Sequence, residues 1–210
     1  MKLYDFGPAA SAQRVRMFVA EKGLDLPVVE VNVLERTMFE EPYRSMNPFA
    51  VVPFLELDDG TCIGESVAIC RYLDELHPEP SLMGRDARER AVIEMWNRRV
   101  ELDGLVPMIH ANRNANPLFK GRVVPGTRND LMQVPEIVER GKAMLGILLE
   151  RLEEQLAENH FIAGEHFSIA DITGYFAARA GSRLDFPIPD SCPHVARWFD
   201  GVAARPSTQA

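Results

Sequence analysis

Between residues 78 and 85 the chain turns to proline, serine and glycine (Pro78, Pro80, Ser81, Gly84), and the hydrophobic patterns on either side of that stretch are of two kinds. Before it, short apolar runs alternate with helical periodicity; after it, each periodic segment has the spacing of a helix. A chain divided in this way is restricted to an α/β unit followed by an all-α unit. The spacing predicts the first over residues 1–79 and the second over 86–210. With 210 residues and 46% hydrophobic content, both can hold a core without disulfides.

In the first unit, Lys2 to Asp5 reads as a strand, Arg14 to Lys22 as a helix, Val28 to Val33 as a strand, and a short polar helix runs to Ser45. Pro53 to Leu57 and Thr61 to Gly64, joined by Asp58-Asp59-Gly60, read as a hairpin. Ser66 stands where an N-cap belongs, and Val67, Ile69, Cys70, Leu73 and Leu76 keep helical spacing until His77-Pro78 ends the run. The order is βαβ followed by ββα. In the second unit a helix is predicted over Arg88 to Asn112 with a kink at Pro107, then a surface loop from Asn114 to Gly126, and a helix from Pro135 to Glu158. Ser168 and Asp171 form a capping box, with Phe167 and Ile172 as its hydrophobic staple, and a last helix spans about His194 to Ala204. Trp96 and Trp198 fall within helical apolar patterns and are read as core.

Charge and cysteine usage narrow the function. Thirty-one acidic against 23 basic residues give a net charge of −8, which repels nucleic acid and anionic membrane surfaces. No apolar run approaches the roughly 20 residues that cross a bilayer. Met1 to Phe6 lead straight into strand pattern without a leader, so a cytoplasmic location is expected. Cys62, Cys70 and Cys192 form no CxxC motif and have no nearby histidine pair, so neither a disulfide framework nor a metal site is expected.

The segment Asn47-Pro48-Phe49-Ala50-Val51-Val52-Pro53-Phe54-Leu55, the pair Glu65-Ser66 twelve residues beyond Pro53, and the capping box at Ser168 to Asp171 resemble the cytosolic glutathione transferase family, in its bacterial, serine-like form. The likeness covers essentially the whole chain. It implies a thioredoxin-like first domain that holds glutathione as co-substrate and a helical second domain that supplies the electrophile pocket. Carried onto this sequence, it implies a cis bond at Val52-Pro53, with the Val52 peptide groups free to pair with a peptide ligand. Ser66, at a helix N-terminus, would take the γ-glutamyl carboxylate and Glu65 the α-ammonium. Arg36 would hold the glycyl carboxylate. Without the resemblance, Ser66 reads as a plain N-cap, Glu65 as a first-turn acid, and Arg36 as a solvated surface residue.

The thiolate-activating group is expected between Phe6 and Arg16. There the usual serine of the serine-type classes falls on Ala9, and Ser11, the only hydroxyl, falls where several bacterial members carry cysteine. Ser11 is the catalytic candidate. The alternatives are that it merely caps the helix, or that the amides of Ala10 and Ser11 polarise the sulfur. Met108, Ile109, Asn112 and Arg113 are candidates to face an apolar electrophile with a polar handle. The implied reaction is conjugation of the glutathione thiolate to an electrophilic carbon, with peroxide reduction as a companion. A glutathione-dependent isomerase or dehalogenase, or a non-catalytic interaction module on the same fold, are the alternatives. The resemblance also implies a homodimer.

Overall fold

The computed structural model describes residues 1–127 and 131–210. Its strands all precede residue 64: β1 (Lys2–Asp5), β2 (Val28–Glu30), β3 (Phe54–Glu56) and β4 (Cys62–Ile63). They form one sheet in the order β2-β1-β3-β4, with β1 parallel to β2 and antiparallel to β3, and β3 antiparallel to β4. The parallel pair needs a crossover, supplied by α1 (Ala10–Glu21), and α2 (Tyr43–Met46) lies between β2 and β3. Helix α3 (Ser66–Leu76) follows β4 and packs with α1 against the sheet.

From residue 87 onward the described elements are helical: α4 (Ala87–Val100), α5 (Val106–Ala115), α6 (Pro135–Glu158), α7 (Ile169–Ser182) and α8 (Pro193–Ala203), with short 3₁₀ turns at Pro117–Phe119 and Pro206–Gln209. The kink expected at Pro107 is instead a π turn over Glu101–Leu105 that joins α4 to α5. Proline lacks an N–H, and the widened turn just before it accommodates the missing i−4 bond. Gly104 lies inside that turn because a Cβ there would stand 2.6 Å from Leu148 Cδ2.

The two halves share one continuous core. Leu3, Phe18, Leu55, Ile69 and Leu73 from the first belong to the same buried cluster as Leu105, Met108, Leu148, Ile172 and Trp198 from the second. Polar contacts lock this interface. The fully buried Lys22 ammonium pairs with Asp74 at 2.5 Å and donates to the carbonyls of His77 and Pro80 at 2.7 and 2.6 Å, fixing the linker. Near the C-terminus Arg205 grips Glu21 through two nitrogens, at 2.7 and 2.6 Å.

The capping box forms as the sequence predicts: Ser168 caps α7, and both Asp171 oxygens take backbone and side-chain donors. Trp198 is buried and donates its indole N–H to Asp171 at 2.9 Å. Three expected boundaries differ. Helix α1 starts at Ala10, four residues before Arg14; β2 stops at Glu30; and the loop expected from Asn114 begins only after α5 ends at Ala115, then runs over the surface with Leu118 and Val124 exposed while forming one wall of a cleft, as described next.

Candidate functional site

A cleft of about 520 Å³ opens between the two halves. One wall comes from the β1–α1 corner, the Asn47–Pro53 turn and the start of α3; the other comes from α5, the end of α7 and residues 116–127. The β1–α1 corner is held from three sides. Arg16 grips the buried Asp5 carboxylate with Nε and Nη2 at 2.5 and 2.7 Å, Gln13 donates its side-chain amide to the Gly7 carbonyl at 2.8 Å, and Arg179 of α7 in turn donates to the Gln13 side-chain oxygen Oε1. That fixes the first turn of α1, where Ala9, Ala10 and Ser11 line the cleft.

Ala9, not Ser11, occupies the cap position of α1, and no side chain caps the helix. Ser11 is the second helical residue, half-buried, and among the described residues its hydroxyl has no hydrogen-bond partner. The capping alternative therefore does not hold. What remains is a free hydroxyl beside first-turn amides, at the positive end of a twelve-residue helix.

The Val52-Pro53 bond is cis, as are Glu41-Pro42 and Glu79-Pro80, which the sequence reading did not single out. Val52 lines the cleft just before β3, and among the described residues neither its N–H nor its carbonyl is hydrogen-bonded within the protein. Glu65, exposed at φ 62°, holds the cap position of α3 without a capping side-chain bond. Ser66 is accordingly the first residue of the helix and not its cap. Buried at 6% exposure, its hydroxyl oxygen accepts a hydrogen bond from Arg14 Nη1 at 3.1 Å. Because that oxygen is already an acceptor, its own proton is left to be donated into the cleft.

Arg14 is the residue that sequence reasoning missed. Its side chain is 2% exposed, and Nη1 also donates to Glu101 Oε1 at 2.8 Å across the interface, at the start of the π turn. The one available signal was a cation on the apolar stripe of α1, flanked by Ala12, Val15 and Phe18. Arg36 is exposed in a left-handed conformation and is not among the residues lining the cleft. Met108, Ile109, Asn112 and Arg113 all line it, together with Phe119 and Arg122 from the following segment. Gly126 brings that segment onto the Asn47–Pro53 turn, where a Cβ would meet the Phe49 carbonyl oxygen at 2.1 Å.

The other candidate nucleophiles point elsewhere. Tyr4 donates to Glu56 at 2.8 Å, and burial, with that carboxylate's help, pushes its phenol up to about 12. The Cys70 thiol is likewise pushed up to about 12 by burial, and burial also raises Cys62 and Cys192. None of these side chains lines the cleft.

Residues 3–81 match the family model of the glutathione S-transferase N-terminal domain, and residues 123–206 match that of the C-terminal domain. Glutathione S-transferase 2 of Saccharomyces cerevisiae is 32% identical over all of this chain and 88% of its own length. The chain belongs to the glutathione S-transferase family.

Other relatives of this transferase agree. The crystal structure of a glutathione S-transferase domain-containing protein from Marinobacter aquaeolei superposes with a TM-score of 0.91 at 36% identity, covering 99% of this chain and 100% of that one. A maleylacetoacetate isomerase of Pseudomonas aeruginosa is 31% identical over 99% of this chain and 93% of its own length. The transferase thus has the family's thioredoxin-like domain followed by its helical domain, with the cleft between them.

Proposed function

We propose that the cleft binds glutathione and that the protein conjugates its thiolate to electrophilic small molecules. The observation that carries this reading is the meeting, in one cleft, of the unpaired Val52 peptide, the α3 N-terminus bearing Glu65 and Ser66, and the free Ser11 hydroxyl. Val52 offers both backbone groups to a peptide ligand in the antiparallel sense. Ser66 and the first amides of α3 suit a carboxylate, and Glu65, exposed at the rim, suits the adjacent ammonium. Bound glutathione supplies the sulfur nucleophile. Ser11 donates its O–H to the sulfur and, with the α1 dipole, favours thiolate over thiol. Arg36 remains a ligand for the glycyl carboxylate only if its loop turns inward when glutathione binds.

Calorimetric titration with reduced glutathione tests this reading. The wild type is expected to bind saturably, and Ser66→Ala to weaken binding about ten- to hundredfold, the worth of a charge-assisted hydrogen bond. Ser11→Ala is expected to keep binding and lose turnover. A wild type that gives no heat of binding and no turnover would leave the fold as an interaction module. The isomerase relative supports a second reading, isomerisation of an unsaturated substrate at the same thiolate, which shares every glutathione contact.

The protein is read as a cytoplasmic homodimer. Its cysteines are unpaired, no helix among the described residues is long and apolar enough to cross a membrane, and Phe49, Met95 and Leu102 expose apolar surface that a two-fold interface would cover. Light scattering at micromolar concentration is expected to give twice the 23.6 kDa chain mass; the mass of one chain would remove the dimer.

A further inference from the structure

The charge balance inside the cleft runs opposite to that of the chain. The protein carries a net −8, yet among the described residues three guanidinium groups (Arg113, Arg122, Arg183) line the cleft against one carboxylate, Glu65. Arg113 is half-buried in the last turn of α5, and among the described residues its guanidinium makes one hydrogen bond, from Nη1 to the Arg122 carbonyl at 2.6 Å. Its guanidinium carbon lies 4.7 Å from the centroid of the Phe119 ring. Arg122 spends its nitrogens on main-chain carbonyls: Nη1 on Val33 and Leu34 at 3.3 and 3.2 Å, and Nη2 on Leu118. Its Nε is buried, without a hydrogen-bond partner among the described residues. Among the described residues no carboxylate forms an ion pair with either arginine. Burial, then the neighbouring Arg122 charge, holds the Arg113 guanidinium below its ordinary value.

Two partly desolvated like charges with no counter-ion are unfavourable, and an anion seated beside them relieves both the repulsion and the lost hydration. The remaining Arg113 donors form a planar fork, stacked on an aromatic ring, which matches a carboxylate. Met108, Ile109 and Phe119 add apolar wall on the same side of the cleft.

We propose that Arg113, backed by the charge of Arg122, anchors a carboxylate of the second substrate, so that this cleft selects aromatic or unsaturated acids over their neutral counterparts. The proposal rests on the glutathione site above. In the test reaction the thiolate sulfur forms a bond to an activated ring carbon, the carbon–chlorine bond breaks with chloride leaving as the anion, and the carboxylate is unchanged.

A matched pair, 4-chloro-3,5-dinitrobenzoate and its primary amide, reads out the anchor. After division by each compound's uncatalysed rate with glutathione, kcat/KM is expected to favour the acid. Arg113→Gln is expected to lower the acid-to-amide ratio about ten- to hundredfold, and Arg113→Lys to restore part of it. Independently of turnover, 3,5-dinitrobenzoate should bind the S-methylglutathione-saturated wild type by calorimetry and bind Arg113→Gln at least tenfold more weakly. An unchanged ratio overturns the proposal. So does a fall in glutathione affinity with the ratio intact, which would assign Arg113 to the glycyl carboxylate. Failure of the wild type to bind glutathione at all would instead sink the reading on which the proposal rests.

Discussion

Asp171→Ala is expected to cost the protein about 4–6 kcal/mol, a large part of the 5–15 kcal/mol that holds an ordinary domain folded. The carboxylate is fully buried and accepts four hydrogen bonds: Oδ1 from the Ile162 amide and the Trp198 indole, both at 2.9 Å, and Oδ2 from the Ser168 amide and hydroxyl at 2.9 and 3.1 Å. Alanine would leave these donors facing a small apolar void, and each buried orphan costs roughly 1–3 kcal/mol before relaxation. Burial raises the Asp171 carboxyl to about 6 even though all four donors favour its ionised form. Unfolded, it titrates near 4, so between about 4 and 6 the folded chain holds a proton that the unfolded chain has lost. The contribution of this residue to stability therefore falls as pH rises through that interval and is constant above it. Equilibrium urea denaturation at pH 7, followed by helical circular dichroism, checks the main effect. An alanine variant whose midpoint lies within about 0.5 M of wild type would refute it, since urea slopes run about 1–3 kcal/mol/M.

How much was legible depended on the distance over which each feature is encoded. The capping box needs residues three apart and the β3–β4 hairpin a three-residue turn, and both appear in the structure at the positions read from the sequence. The Val52-Pro53 turn and the Glu65-Ser66 pair are equally local, and they lie in one cleft because β3 and β4 run antiparallel, which sets the start of β3 beside the end of β4. Arg14 was not legible. Its two partners are 52 and 87 residues away, and its place on the apolar stripe of α1 hints at burial without naming what the guanidinium bridges. The segment 114–126 was read as a surface loop, but its place in the cleft was hidden for a similar reason: asparagine, proline and glycine mark a loop, and composition does not say what the loop covers. Only the fold brings Gly126 against the Phe49 carbonyl and Arg122 against those of Val33 and Leu34. The π turn is likewise set by tertiary packing, with Gly104 pressed onto Leu148 and Ala177.

Arg14→Met is expected to lose about 3–5 kcal/mol of stability and, in the fraction that folds, at least tenfold in glutathione affinity. The first effect comes from Glu101, 16% exposed, which would keep only its 3.0 Å contact with the surface Arg98 after losing the 2.8 Å bond to Arg14. The second comes from Ser66, whose oxygen would lose the donor that orients its proton into the cleft, together with a buried positive charge near the α3 N-terminus. Lysine cannot reproduce two directed bonds from one planar group, so Arg14→Lys should recover little of either. The effects separate in a double variant. Arg14→Met with Glu101→Leu removes the orphaned carboxylate and should regain most of the stability, because an apolar pair often replaces a buried ion pair without loss, while glutathione affinity stays low. Were the double variant to bind glutathione like the wild type, Arg14 would be confined to tying α1 to the π turn. If affinity stays low after stability returns, the arginine tunes the Ser66 hydroxyl directly, and the contact that joins the two halves of the chain also readies the ligand site.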